Sequence, residues 1–364
     1  MQELARVAAA CISALLTLAS ATPAAACTGV RLHAEDGAVI QARTLEFGFD
    51  IQSSVLVIPA GTEFTGSLPD GGEGLAYKTR YAMAGADAVG QDIIVDGVNE
   101  AGLAFGLFYF PGYAQYPGLD DANRARGMAP HEFGTWVLGS FATVTEVRDA
   151  LDQVVLLPVV LEVIGVPTPA HYLITDRSGA SIVIEPVGGL LLVHDNPLGV
   201  ITNSPTFDWH VTNLRNYVNL TATNVPPVAL AGLDLYQFGE GSGMLGLPGD
   251  WTPPSRFVRA AAFSQSLLPS ANAREAVLQA FHLLNVFDIP RGAVRSIVAD
   301  EMHADYTLWT SAIDTANARY YFHTYEDRSV RVVDLKKAVQ GRSEIGVIPM
   351  KGEQPVLDVS TAFE

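Results

Sequence analysis

The feature that most constrains this chain is a cysteine directly after a run of small residues, in the stretch PAAACTGVRL. Before it come a short polar start, an apolar run from Val7 to Leu18, and Ala24-Ala25-Ala26, which is the pattern of a secretory signal with an A-x-A cleavage site. We therefore expect residues 1–26 to be removed as a signal peptide on export to the periplasm or the medium. Residues 27–364 are expected to form a single domain.

Cysteine content makes this cleavage site chemically informative. The chain has two cysteines, Cys11 and Cys27, and cleavage after Ala26 would remove the first. No intramolecular disulfide could then form, and the remaining thiol would share its residue with a free α-amine. Such a residue supplies a nucleophile and a general base together. The alternative is a lipoprotein signal, in which Cys27 is lipidated, its amine is acylated, and the chain is a lipid-anchored binding protein without hydrolase activity.

Charge and composition exclude several other classes of function. The formal net charge of −17 disfavours nucleic acid as a partner, because phosphate binding needs a basic surface. No apolar run approaches the roughly 20 residues of a membrane span, so no stable span is expected. The eight histidines show no clustered metal-ligand spacing, and no glycine-rich phosphate loop opens a helix. The sequence therefore predicts neither a metal nor a cofactor.

Apolar periodicity predicts an α+β fold. Helices are predicted at 131–155, with Thr143 and Glu146 as a capping box, and at 272–285, where Asn272 can cap. The segment 223–254 is predicted as a loop. Strands are predicted at 28–32, 38–43, 54–58, 92–95, 103–110, 171–175, 181–185, 190–194, 306–314, 319–325 and 329–333. This order of elements indicates a layered domain more than a repeated βαβ unit.

The first two strands are predicted to form a hairpin. Asp36-Gly37 is a two-residue turn signal, which would place Cys27 opposite Glu46 and Arg43 opposite Val30. A carboxylate opposite the terminal amine could orient it and favour its charged form. Arg43 would then lie on the other face, and a bulge or an early end of the pairing would be needed to bring it beside the thiol. The alternative for Arg43 and Glu46 is a solvated surface pair.

Five separated stretches together resemble one known family. They are CTGVRL, ARTLEFG, DGVNEAGLAFGLFYFPGY, ITNSPTFDWHVTNLRNY and GLPGDWTPPSRFVRAAAF. In order and spacing they resemble the choloylglycine hydrolase family, the bile salt hydrolases and penicillin V acylases among the N-terminal nucleophile hydrolases. The resemblance runs from Cys27 to about Lys336. It implies a four-layer αββα sandwich, hydrolysis of small-molecule N-acyl amides without a cofactor, and a homo-oligomer, either a tetramer or a dimer.

The resemblance also assigns the nucleophile and its neighbours. Cys27 matches the family's nucleophile, and its α-amine the general base. Arg43 matches the arginine of the family's G-R-N-x-D stretch. Glu46 falls where that stretch has aspartate, which keeps the charge but moves it by one methylene.

Further residues follow from the same resemblance. The backbone N–H of Tyr109 and the side-chain amide of Asn203 correspond to the two oxyanion donors. Without the resemblance, Asn203 would be interpreted as a turn residue ahead of Pro205. Arg256, the first arginine of SRFVRA, matches the remaining active-site arginine, and Arg259 is interpreted as structural.

The acyl group of the substrate stays open at this point. An apolar pocket is expected from the segments 47–49, 105–110 and 223–254, and it would accept a sterol, a phenoxyacetyl or a fatty acyl group. Tyr109 is typical of penicillin V acylases, whereas GLPGDW and FPGY are closer to bile salt hydrolases. Exported relatives also cleave acyl homoserine lactones. Conjugated bile salts, penicillin V and acyl homoserine lactones are therefore all candidates.

Overall fold

The computed structural model describes residues 26–298 and 301–360. Apart from Ala26, the predicted signal peptide lies outside the described residues, and both it and the single-domain organisation stay predictions. The helices are α1 (Phe133–Ser140), α2 (Val144–Asp149), α3 (Phe207–Asn213), α4 (Pro253–Ser266), α5 (Ala273–Leu284) and α6 (Leu335–Ala338).

Strands make up most of the remaining regular structure. In chain order they are β1 (Ala26–His33), β2 (Val39–Phe47), β3 (Ser54–Ile58), β4 (Glu63–Ser67), β5 (Glu73–Lys78), β6 (Met83–Ala86), β7 (Asp96–Asn99), β8 (Ala104–Tyr109), β9 (Gly127–Met128), β10 (Val155–Leu156), β11 (Val160–Leu161), β12 (Val166–Pro167), β13 (Ala170–Thr175), β14 (Ser181–Val187), β15 (Leu190–Asp195), β16 (Val228–Leu230), β17 (Leu233–Leu235), β18 (Val294–Val298), β19 (Glu301–Asp314), β20 (Arg319–Thr324), β21 (Arg331–Asp334) and β22 (Gly346–Pro349).

Two large antiparallel sheets form the centre of the fold. One has the order β1-β2-β19-β20-β21, with β18 paired to β19, and the other has the order β15-β14-β13-β8-β7-β6-β3-β22. Helices α4 and α5 pack on β1, β2 and β19, helix α1 packs on β7 and β8, and β1 contacts β8 across the sheets. The layers are therefore helix, sheet, sheet, helix, which confirms the predicted four-layer αββα sandwich.

Both faces of the eight-stranded sheet are covered, which explains its continuous apolar strands. Neighbouring residues of β13 point to opposite faces, so Tyr172 packs with Phe105 and Phe133 under α1, while Leu173 joins the core between the sheets. Such strands do not alternate between apolar and polar residues, because neither face meets water.

Several local predictions are confirmed and others are wrong. Thr143 accepts the Glu146 N–H at 3.2 Å and Asn272 accepts the Glu275 N–H at 3.1 Å, as the caps predicted. The helical section 131–155 is broken after α1, because Phe141 is extended there. The strand predicted at 92–95 is wrong, since the strand begins at Asp96. Helix α4 was not predicted, because its two leading prolines indicate a break, yet they suit a first helical turn.

The register of the first hairpin also differs from the prediction. Cys27 pairs with Leu45 and Gly29 with Arg43, whereas Glu46 pairs with Ala26. Paired residues share a face of the sheet, and so do residues two apart on one strand. Cys27 and Arg43 therefore lie on the same face, and no bulge is needed to bring them together.

The turn explains this shift of one residue. Its loop has three residues, 35–37, closed by the Ala34 N–H on the Ala38 carbonyl at 2.9 Å and the Gly37 N–H on the Ala34 carbonyl at 3.0 Å. Gly37 has φ of +84°, the left-handed conformation that three-residue hairpin loops require. A two-residue turn would have placed every side chain of β2 on the other face.

Substitution of Gly37 tests this turn. Nothing lies within 4 Å of a methyl group added at Gly37 or at Gly118, but only Gly37 has a positive φ. Gly37→Ala should therefore lower the free energy of unfolding by about 1 kcal/mol through backbone strain alone. Gly118→Ala should leave it unchanged or raise it slightly. Urea denaturation measures both, and equal effects of the two substitutions would contradict the turn conformation.

Candidate active site

Cys27 lies on β1 with 3 % of its surface exposed, and it is the free cysteine of the described residues. Its side chain borders a cavity between the sheets, with an empty volume of about 680 Å³ when the mouth is included. Its backbone N–H donates to the Asn203 Oδ1 at 2.9 Å. The nitrogen that cleavage would turn into an α-amine is therefore already held inside the candidate site.

Arg256 connects the segments around Cys27. It lies buried in the first turn of α4 and donates from Nη1 to the Cys27 carbonyl and, at 3.0 Å, to the Thr28 Oγ1. Its Nη2 donates to the Asn203 Oδ1 at 2.7 Å, and its Nε to the Trp251 carbonyl at 2.8 Å. Burial lowers the pKa of Arg256 to about 10, so it stays charged at neutral pH. The guanidinium is thus a fixed positive charge beside the thiol.

Arg259, one helical turn later, faces a different environment. It donates to the carbonyls of Pro248 and Asp250 at 2.8 and 2.6 Å and lies over the Phe287 ring. These contacts hold the chain that leads into α4, in agreement with the structural role expected for Arg259.

Asn203 is buried, and both the oxygen and the nitrogen of its side-chain amide form hydrogen bonds. Its Oδ1 accepts from Cys27 and Arg256, while its Nδ2 donates to the Tyr109 carbonyl at 2.7 Å. Ile201, two residues earlier, exchanges two backbone hydrogen bonds with Gly29 of β1, at 2.8 and 3.1 Å. An amide nitrogen carries two hydrogens, so Nδ2 has a second hydrogen to offer an oxyanion.

Tyr109 ends β8 and borders the same cavity. Its carbonyl accepts from Asn203, and its ring lies edge-on to Phe47 with centroids 6.1 Å apart. In the structure, therefore, Tyr109 contacts Asn203 through the Tyr109 carbonyl. That its backbone N–H serves as an oxyanion donor stays a prediction.

Arg43 is the second buried cation near the thiol. Its Nη1 donates to the Leu107 carbonyl, its Nε donates to the Thr44 carbonyl at 3.2 Å, and its guanidinium lies 4.2 Å from the centroid of Phe108. Its Nη2 has no hydrogen-bond partner in the described part of the chain. Arg43 is also one of the residues that line the cavity.

Glu46 is buried on β2, three residues after Arg43. Its Oε1 accepts from the Thr307 Oγ1 at 3.1 Å, and its Oε2 has no partner among residues 26–298 and 301–360. Burial raises the pKa of Glu46 to about 7, although Arg256 opposes the shift. Since Arg43 and Glu46 are both buried, interpretation as a solvated surface pair is wrong.

These charges act on the thiol in opposite directions. Burial raises the pKa of the Cys27 thiol. The positive charges of Arg43 and Arg256 lower this pKa, and the charge of Glu46 raises it. Burial is the largest of these effects, so the pKa of the thiol lies above its ordinary value and the thiol holds its proton at neutral pH. A nucleophilic thiolate at this position therefore needs a base close by.

The cavity wall is mostly apolar and differs in part from the prediction. Phe47, Leu107 and Tyr109 contribute as expected, but the predicted contribution of 223–254 is wrong, since this segment is not part of the wall. The segments 88–95 and 161–168 take its place. The full lining is Cys27, Arg43, Leu45, Phe47, Ile51, Ala88, Val89, Ile93, Val95, Leu107, Tyr109, His131, Leu161, Val163, Ile164 and Thr168.

A buried polar cluster behind Asn203 escaped the sequence analysis. His171, Glu185 and His210 contact each other or the backbone at 202–203. The signal in the sequence was a histidine and a glutamate that interrupt two apolar strands on either side of the turn at 176–179.

No group of three or more His, Cys, Asp or Glu side chains in the described ranges could hold a metal ion. None of the helices described is long and apolar enough to span a bilayer.

Comparison with known proteins agrees with this arrangement. The chain is 33 % identical over 321 residues to a bile salt hydrolase/transferase of Clostridium perfringens (strain 13 / Type A), covering 88 % of this chain and 95 % of that protein. A crystal structure of a variant of conjugated bile acid hydrolase from Clostridium perfringens superimposes with a TM-score of 0.81 at 32 % identity, covering 91 % of this chain and 99 % of that one.

A second solved structure and a family model extend the comparison. Penicillin V acylase from Agrobacterium tumefaciens superimposes with a TM-score of 0.69 at 25 % identity, covering 85 % of this chain and 86 % of that one. The family model of linear amide C-N hydrolases, choloylglycine hydrolase family, matches residues 27–344. The chain therefore belongs to the choloylglycine hydrolase family of linear amide C–N hydrolases.

Proposed function

We propose that this enzyme is exported and hydrolyses linear N-acyl amides through a thioester on Cys27, which becomes the first residue after signal cleavage. One observation carries the proposal. The Cys27 backbone nitrogen lies 2.9 Å from the Asn203 Oδ1, beside the buried Arg256. Cleavage after Ala26 would turn this nitrogen into an amine next to its own thiol, without any rearrangement of the strand.

The α-amine would take the thiol proton as the sulfur attacks the carbonyl carbon. The Asn203 Oδ1 accepts from this nitrogen, which favours the ammonium form that results. The second Nδ2 hydrogen of Asn203 and the Tyr109 N–H would bind the oxyanion. The ammonium then returns its proton to the leaving amine, and water hydrolyses the thioester with the α-amine again as base.

Glu46 would become the counter-charge of the new amine. Its Oε2 lacks a partner in the described part of the unprocessed chain, and its pKa of about 7 reflects a buried carboxyl without enough positive charge near it. An ammonium group at Cys27 would lower this pKa and give the carboxylate a partner. Arg43 and Arg256 would counter the effect of burial on the thiol.

The apolar lining of the cavity suits recognition of the substrate through an apolar acyl group. The wall of the cavity is apolar apart from a few groups, among them His131 and Thr168, and Cys27 is part of this wall. Conjugated bile salts, penicillin V and acyl homoserine lactones each combine such an acyl group with a linear amide, so we propose these three as candidate substrates.

The burial of Cys27 argues against a lipid anchor. Its side chain is 3 % exposed, and its backbone is bonded to Asn203 and Arg256 on both sides. A lipid on this thiol and an acyl group on this nitrogen would both have to displace the site. Export with a free terminal cysteine, to the periplasm or the medium, requires no such displacement.

We also propose that the enzyme is a homo-oligomer, whether dimer or tetramer. The hairpin of β16 and β17 and the chain around it expose a dense group of apolar side chains. Its members are Val218, Val225, Val228, Leu230, Leu233, Leu235, Tyr236, Phe238 and Leu245. Exposed apolar patches of this kind mark interaction surfaces, and a second copy of the chain would bury this one.

Removal of the thiol tests the mechanism. Processed Cys27→Ala protein should lose turnover of every substrate by at least about 10³-fold, because no nucleophile remains. Conjugated bile salts, penicillin V and a long-chain acyl homoserine lactone should be compared at equal enzyme, with thermal unfolding as the folding control. Turnover retained by a folded Cys27→Ala protein would contradict the thioester, and wild-type inactivity on all three would exclude these substrates.

The buried carboxyl of Glu46 predicts a pH-dependent stability of the unprocessed chain. Its pKa of about 7, above the usual 4.5, means that the folded state binds the extra proton between these values. Stability is therefore greatest while Glu46 is neutral and falls as pH rises from about 4.5 to about 7, by at most about 3 kcal/mol. Glu46→Gln should remove this part of the loss.

Urea denaturation of the full-length protein from pH 4.5 to 8 measures this effect. Glu46→Gln should gain stability relative to wild type as pH rises, because the neutral amide keeps the oxygen that accepts from Thr307. Glu63→Gln, at an exposed position, serves as the matched control and should follow the wild type. Parallel curves for wild type and Glu46→Gln would contradict the raised pKa.

A charge in the apolar hairpin region tests the oligomer. Phe238 is fully exposed in the single chain, so Phe238→Asp should reduce the mass measured by light scattering after size exclusion. Leu278→Asp, at an exposed position of α5, is the control and should not change it. A wild-type protein that is monomeric at assay concentration would overturn this proposal.

A further inference from the structure

Two buried histidines hold the backbone on either side of the Asn203 Cα. His171, on β13, contacts the Thr202 carbonyl from Nε2 at 3.0 Å. His210, on α3, contacts the Asn203 carbonyl from Nε2 at 2.9 Å. These carbonyls belong to the two peptide planes that flank Asn203, so the contacts fix both of its backbone dihedral angles.

Both ring nitrogens of His171 face acceptor oxygens. Its Nδ1 lies 3.1 Å from the Glu185 Oε1, and its Nε2 faces the Thr202 carbonyl, so both partners accept only. Burial opposes ionisation of Glu185, but the contact with His171 and the nearby His194 outweigh it and hold its pKa at about 2. The ring of Phe110 stacks on His171 with centroids 4.3 Å apart, which holds the imidazole in this orientation.

His210 works as a neutral donor. Burial lowers its pKa to about 4, its Nε2 faces the Asn203 carbonyl, and its Nδ1 has no partner in the ranges described. Its ring is stacked on Phe257 of α4 at 4.7 Å. The neutral tautomer with hydrogen on Nε2 satisfies all of these contacts.

Glu185 anchors the same segment at a third point. Its Oε1 also accepts the Phe207 N–H at 2.9 Å, at the start of α3, and its Oε2 lies 3.4 Å from the His194 Nε2. The carboxylate therefore holds the segment 202–207 directly at Phe207 and, through His171, at Thr202. Since this segment carries Asn203 into the site, the cluster lies directly behind the amide that meets Cys27.

We propose that His171 and His210 are positioning residues for Asn203, which they hold with its amide aimed at the reacting carbonyl before substrate arrives. The inference rests on the proposed role of Asn203 as an oxyanion donor. An oxyanion donor acts in the transition state and only when aligned, so its loss costs about 10²- to 10³-fold in rate. A misaligned Asn203 should lose part of that factor.

Phenylalanine at either histidine removes the donors but keeps the stacked ring. His171→Phe and His210→Phe should each lower kcat by about 10- to 100-fold, with KM changed less than about twofold. His210→Gln, which retains an N–H donor, should recover part of the loss. His323→Phe replaces a buried histidine that packs on Phe281 in the helix layer, and it should keep the wild-type kcat.

A double-mutant cycle separates positioning from general support of the fold. In an Asn203→Ala background, His171→Phe and His210→Phe should cause no further loss of kcat, because there is no amide left to align. All assays use the processed enzyme with the candidate substrate it hydrolyses fastest. Full additivity of the losses, or wild-type kcat in both folded histidine variants, would overturn the inference while leaving the oxyanion role intact.

Two further readouts complete the test. Wild-type kcat in Asn203→Ala would overturn the oxyanion role itself, and with it the proposed function of this residue. If the phenylalanine variants do not fold, NMR of ¹⁵N-histidine-labelled wild type decides the matter. His210 should carry its hydrogen on Nε2 at pH 7, and a hydrogen on Nδ1 would contradict its contact with the Asn203 carbonyl.

Discussion

The site depends on the hydrogen bonds of one buried guanidinium. Arg256 joins three parts of the chain that are distant in sequence: β1 through Cys27 and Thr28, the segment at Asn203, and the start of α4 at Trp251. Burying such a charge costs several kcal/mol unless its donors are satisfied, so the fold brings all these acceptors to it. The same contacts place the Cys27 nitrogen and the Asn203 amide side by side before any substrate binds.

Buried charge also underlies the proposed activation of the site by cleavage of the predicted leader. In the unprocessed chain the thiol is held protonated by burial, and Glu46 carries a carboxyl with a pKa of about 7. Two arginines alone do not outweigh the effect of burial on the thiol. A terminal amine would supply what is missing, a base for the thiol and a cation for the carboxyl, within one residue.

The sequence revealed the layered fold and its caps, because those depend on local patterns. The geometry of the first turn was harder to predict, because the register of β1 and β2 depends on the conformation of Gly37. The predicted register was wrong by one residue, which put Cys27 and Arg43 on opposite faces of the sheet. The roles of Asn203 and Arg256 were predicted only from the resemblance to a family. The hydrogen bond between these two side chains joins residues more than 50 positions apart, which local sequence patterns do not reveal.

Other features could not be predicted because they arise from tertiary packing. The burial of Glu46, and with it the raised pKa, arises inside the folded sheet, where β19 pairs with β2 and Thr307 lies opposite Glu46. The contact of His171 with the backbone at Thr202 joins a strand to a distant loop.

The intact mass of the protein produced with its predicted leader, with and without iodoacetamide, is the most direct test of a free terminal cysteine at position 27. We expect a chain that runs from Cys27 to Glu364 and gains a single alkyl group once it is unfolded in the presence of the reagent. A mass that includes a lipid, or a chain that begins anywhere other than Cys27, would leave the site without its amine and contradict the account.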